Sequence, residues 1–91
     1  MAYLDDVKMT LRITHASLDT EITDLINAAR QDLILSGVSV LKATSTTDPL
    51  IKRAVVTYTK AHFGYDNPDA DRLLLAYERL KAHLTLSGDY T

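Results

Sequence analysis

Both prolines of this chain follow an acid or its amide and stand directly ahead of an apolar stripe of helical period. In Asp48-Pro49 and Asn67-Pro68 the first residue brings a side-chain oxygen that can accept from an unpaired amide at a helix start. The proline brings a φ already suited to the first helical position. Ile51, Ala54, Val55, Tyr58 and His62 follow the first start on one face, and Leu73, Tyr77, Leu80 and Leu84 follow the second. Spacings of three and four suit a helix buried along one side, whereas a strand places alternate residues on one face. The pattern predicts one helix from Asp48 to near Gly64 and another from Asn67 to near Gly88.

The first half of the chain repeats the period. LDDVKMTLRI (4–13) sets Leu4, Val7 and Leu11 at helical spacing, with Asp5 and Asp6 near its start and Arg12 near its end, as the helix dipole favours. After the polar break THAS, DTEITDLINAARQDLILSG carries Ile22, Leu25, Ile26, Ala29 and Leu33 on one stripe, with Asp19 as N-cap and Gly37 as the closing residue. VSVLKATSTT (38–47) loses the period and is rich in β-branched and hydroxyl residues, so it reads as a polar loop or short extended arm. The expected fold is all-α: a small bundle of four helices with that loop or arm between helices two and three. A chain of 91 residues suits one domain, 1–91, with a modest core.

Composition narrows the function classes. No apolar run reaches the roughly 18–20 residues that a membrane span requires, so a soluble protein is expected. MAYLDDVKM has acids where a secretory signal has basic residues, so the chain is expected to stay where it is made. With no cysteine, disulfides, thiolate zinc sites and thiol nucleophiles are excluded. The ten Lys and Arg are scattered against twelve Asp and Glu, for a net charge of −2. A duplex-DNA binder concentrates its cations on one face.

The motifs that suggest chemistry dissolve on inspection. NPDADRLLLAYE (67–78) sets Asn67, Asp69, Asp71 and Glu78 at calcium-loop spacing, but the sixth position, which must be Gly for the sharp turn, is Arg72. Asn67 is better read as a helix cap, with Pro68 in the first turn and the two Asp residues complementing the dipole. His62, beside Tyr58, has no partner motif for a general base and reads as a hydrogen-bonded core or interface histidine. His15, His62 and His83 match no zinc spacing, and no glycine-rich phosphate loop is present. No cofactor is implied, and the enzyme reading is set aside. A small helix-turn-helix DNA-binding regulatory protein, built on the first two helices, is the alternative. Its recognition helix would carry Asp19, Glu21, Asp24 and Asp32 against Arg30 alone, which repels phosphate.

Some apolar residues lie off the main stripes. At 100° per residue Leu75 and Leu86 project away from the last stripe, Val56 and Phe63 away from the third, and Ile34 and Leu35 stand at the end of the second helix. Single exposed apolar residues are ordinary, but second faces on three helices of so small a chain point to contacts between subunits. These six are the expected oligomer interface.

The order of LDDVKMTLRIT, LDTEITDLINAARQDLILSG, DPLIKRAVVTYTKAHFGYDN and YERLKAHLTLSGDYT resembles the small head-tail connector proteins of long-tailed bacteriophages, often labelled DNA-packaging proteins. The resemblance covers nearly the whole chain. It implies a structural, non-catalytic subunit of a dodecameric homo-oligomeric ring beneath the phage portal protein. That ring extends the DNA channel without sequence-specific binding and presents a surface to a downstream head-tail joining or tail-completion protein. The implied location is the head-tail junction of the virion, after synthesis in the host bacterial cytoplasm. AHFGYDN departs from the unbroken aromatic-Tyr-acid turn more usual in the family.

Overall fold

A cap of the kind expected at Asp48 opens the central helix. In the computed structural model, which describes residues 2–12, 16–63 and 67–91, Asp48 Oδ1 accepts hydrogen bonds from the amides of Leu50 (2.9 Å) and Ile51 (3.2 Å). Pro49 then begins the helix. The element order is α1 (Ala2–Leu11), α2 (Asp19–Ser36), α3 (Val40–Ala43), α4 (Pro49–His62) and α5 (Ala70–Leu86), with no strand among the described residues. α4 packs against α5, α2 and α1, so it is the spine of the fold. The described residues span 38 × 27 × 18 Å.

The core is assembled from the predicted stripes. Ile22, Ile26, Ala29 and Leu33 of α2 meet Ile51, Ala54 and Val55 of α4, Tyr77 and Leu84 of α5, and Val7 of α1, all at most 1% exposed. Removing each larger apolar side chain from water contributes about 1.5–3 kcal/mol, against which the chain's ordering entropy is set. Thr59 of α4 is the buried polar exception, and its hydroxyl has no hydrogen-bond partner among the described residues.

Local signals end α2 as expected. Gly37 takes φ 119°, and the amides of Gly37 and Val38 bond the carbonyls of Ile34 (3.1 Å) and Leu33 (3.0 Å), satisfying two of the helix's last acceptors. α1 closes differently: Arg12 adopts φ 59° and its amide bonds the Met9 carbonyl at 3.1 Å.

Four sequence expectations need correction. Residues 38–47 are neither loop throughout nor extended arm, because they contain α3, and among the described residues the helices number five rather than four. Ser39 is the reason: its Oγ accepts from the Lys42 amide at 3.3 Å, and burial of Val38 and Ala43 pins both ends of the turn to the core. Asp19 is the first residue of α2 and not its cap. The capping position falls to Leu18 without a side-chain bond, and Asp19 instead pairs with Lys8 of α1 at 2.7 Å. Asn67 is not the cap of α5 either, since that helix begins at Ala70 with Asp69 before it. Asn67 Oδ1 accepts from the Asp69 amide at 3.0 Å, making a side-chain turn. Its amide group donates to the Lys60 carbonyl at 2.8 Å, so it also caps the end of α4. Finally, His62 is not a core residue. It is exposed at the end of α4, its ring 4.3 Å from that of Tyr58. The expected departure around Gly64 lies outside the described residues, as does His15.

Candidate assembly surface

The C-terminal segment is fastened to the start of α4 and to α3. The Tyr90 hydroxyl bonds both carboxylate oxygens of Asp48 at 3.0 Å, and the Ser39 amide donates to the Tyr90 carbonyl at 2.8 Å. The Lys42 ammonium stands 5.4 Å from the centre of the Tyr90 ring. Burial opposes ionisation of Asp48, but the Ile51 amide, Tyr90 hydroxyl and Leu50 amide outweigh it and hold its carboxyl below the ordinary range. The same burial and the same contact push the Tyr90 hydroxyl up. These bonds gather the end of α2, all of α3, the start of α4 and the end of α5 at one end of the molecule.

That end is apolar on its outside. Leu35, Val40, Leu41, Leu50 and Leu86 are all exposed there, Leu41 at 81% and Leu86 at 86%. Only two other large apolar side chains among the described residues are as open, Met9 on α1 and Leu75 on α5. Of the six residues expected at an interface, Leu35, Leu75 and Leu86 are therefore exposed. Ile34, Val56 and Phe63 are half-buried and lean on the subunit's own core. Val40 and Leu41 escaped the sequence reading because 38–47 looked like a polar loop, whereas Leu50, in the first turn of α4, lies off the apolar stripe named there. The signal that finds Val40 and Leu41 is the Ser39 cap, which turns a β-branched run into a helical turn with Val38 and Ala43 inward.

A second polar cluster joins α2 to α5. Tyr77 donates to Asp32 Oδ2 at 2.6 Å, and Lys81 reaches both Asp32 and Glu78 at 3.1 Å. Tyr58 packs edge-on to Tyr77, with ring centres 5.1 Å apart. Desolvation and the Asp32 contact push the Tyr77 hydroxyl far above its ordinary value. Burial works against the charges of Asp32 and Lys81. The Tyr77 and Lys81 contacts outweigh it at Asp32 and lower its pKa, while Asp32 and Glu78 outweigh it at Lys81 and raise its pKa. Every shift moves a group away from neutrality, which makes the cluster a fixed pair of contacts between helices and a poor proton relay at pH 7. Among the described residues no three His, Asp or Glu side chains converge as a metal site. Nor is any helix among them long and apolar enough to cross a membrane.

The outer face of α2 bears on the DNA-reading alternative. Glu21, Asp24, Asn27 and Gln31 are exposed along it, so the helix offered to a groove would present carboxylates to phosphate.

The sequence model of the phage connector protein family matches residues 3–91. The chain belongs to that family. No curated protein and no solved structure matches it. A phage connector is a structural protein, and in this connector what needs explaining is its surface. The apolar end is the largest gathering of exposed aliphatic side chains among the described residues, and it is held in shape by the Tyr90 to Asp48 clasp.

Proposed function

We propose that residues 1–91 act as a single helical domain that assembles into a dodecameric ring beneath the portal. There it extends the DNA channel and joins the filled capsid to the tail. The observation that carries this reading is the apolar end, where Leu35, Val40, Leu41, Leu50 and Leu86 stand in water on an isolated subunit. A gathering of exposed aliphatic side chains of this kind marks a surface that another protein covers. The portal on one side and a tail-joining protein on the other are the partners that the family implies, and the location is the head-tail junction. The net charge of −2 suits a channel wall past which DNA must slide without sticking. No membrane and no cofactor enter this role.

Electron micrographs of the purified chain, alone and mixed with portal, test the reading. Rings of the chain, or rings seated on the portal, are expected. A chain that stays monomeric at high concentration and leaves the portal undecorated would overturn it. For the regulatory alternative, a salt-sensitive gel shift on duplex DNA is the deciding observation.

A further inference from the structure

Two helix faces on opposite sides of this subunit carry charge of opposite sign. On the outer side of α2, away from the buried stripe, stand Glu21, Asp24, Ala28, Gln31 and Leu35, all exposed. They fall within a sector of about 80° on a helical projection. On α4 the residues opposite its buried stripe are Pro49, Arg53, Val56 and Lys60. α1 flanks this second face, and together they form an open groove of about 370 Å³ lined by Asp6, Met9, Thr10, Pro49, Arg53 and Val56. Lys52 also lines the groove and is already paired with Asp6 at 3.2 Å. Arg53 and Lys60 have no ion-pair partner among the described residues, and neither do Glu21 and Asp24.

We infer that the outer face of α2 in one copy docks into the α1/α4 groove of a second copy, as the lateral contact of the assembly. The inference rests on the ring reading above and names the surfaces that the ring would use. Charge favours a second copy, since the acidic and the cationic halves both occur on this one chain. Geometry favours a head-to-tail contact. α2 and α4 pack on each other through their buried stripes, so their outer faces point to opposite sides of the subunit. A contact between unlike faces leaves one face of each kind free at every step and therefore propagates, whereas a contact between like faces stops at a pair. The residues also fit in register. With Ala28, the small residue of the acidic face, set against Val56, both a parallel and an antiparallel crossing bring Asp24 near a cation. Asp24 then meets Arg53 in the first case and Lys60 in the second. The exposed Met9 and Leu35 gain apolar cover from the same contact.

The absence of cysteine from the sequence makes the test clean. The full chain carrying Ala28→Cys and Val56→Cys, treated with a short bismaleimide, is expected to yield a ladder of covalent species extending beyond the dimer. Each single variant is expected to remain uncrosslinked. The ladder should fade as salt rises, because the charge pairing is screened. Covalent dimers from Ala28→Cys alone would mean like faces meet and would overturn the inference. So would rings of the wild-type chain together with a double variant that gives no ladder, an outcome that leaves the ring reading intact. No assembly of the wild-type chain under any condition, with or without portal, would sink both. A second pair of variants guards against misfolding. Glu21→Lys with Asp24→Lys, and separately Arg53→Glu with Lys60→Glu, are each expected to lose self-association while keeping the wild-type circular dichroism. Mixed one to one, they are expected to regain it, since each then supplies the face the other lacks. Failure of the mixture to associate when each variant is folded and wild type assembles would count against the contact.

Discussion

The Tyr90 to Asp48 clasp closes a contact between residues 42 apart in the chain, and removing its hydroxyl isolates what that contact contributes. A hydrogen bond to an ionised carboxylate contributes roughly 1.5–3 kcal/mol when protected from water. Both partners here are partly open to solvent, and Asp48 keeps the Leu50 and Ile51 amides when the tyrosine hydroxyl is gone. Tyr90→Phe is therefore expected to cost about 1 kcal/mol, below the range for a protected bond and typical of an ordinary hydrogen bond. In a domain of this size that lowers the melting temperature by roughly 4–8 °C. Asp48→Ala removes the helix cap as well, worth about 1 kcal/mol, and should cost about 2 kcal/mol in all. In the double variant the tyrosine change has nothing left to remove, so urea denaturation of the four proteins should return a coupling of about 1 kcal/mol. The sign of the pH dependence follows from the direction of the Asp48 shift. Its carboxyl is held below the ordinary value in the folded chain, so its stabilisation is present above about pH 4, where the unfolded carboxylate is ionised, and is lost as pH falls through the lower folded value. The coupling should be equal at pH 7 and pH 5 and shrink in stronger acid. Additivity of the two single changes to within about 0.3 kcal/mol at pH 7 would refute the reasoning.

Three further outcomes are expected by equilibrium unfolding. Leu33→Ala, at a position 0% exposed, should destabilise by about 2–5 kcal/mol, while Leu35→Ala two residues on, 78% exposed, should stay within about 0.5 kcal/mol of wild type. Gly37→Ala should cost about 1–2 kcal/mol through backbone strain at φ 119°, since the nearest atom to an added Cβ, on Thr85, lies a comfortable 3.9 Å away. Thr59→Val keeps the side-chain shape while removing a buried hydroxyl that has no partner among the described residues. It should be neutral or stabilising by up to about 1 kcal/mol.

What was legible in the sequence was what depends on neighbours along the chain. Period set the faces of the helices, so the buried Ile22, Ile26, Ala29 and Leu33 of α2 and the buried Ile51, Ala54 and Val55 of α4 could be named in advance. The Asp48 cap and the Gly37 stop involve groups two to five residues apart and were equally readable. The start of α5 was misplaced for a physical reason. Asn67 can either cap a following helix or make a turn, and only the carbonyls of Lys60 and Ala61, supplied by the preceding helix, decide for the turn.

The sequence by itself thus determined an all-helical chain with amphipathic faces, a negative net charge and a family resemblance whose connector family matches residues 3–91. Tertiary structure alone decided which of the leftover apolar residues are exposed. Ile34, Val56 and Phe63 lean on their own core, whereas Val40 and Leu41 are turned outward because Val38 and Ala43 are held inward. It also decided the partnerships of Asp32 with Tyr77 and of Asp48 with Tyr90, which span 45 and 42 residues. A helical period depends on one segment's own geometry, but the exposure of a side chain depends on what other segments cover. That information enters only when the chain is folded back on itself.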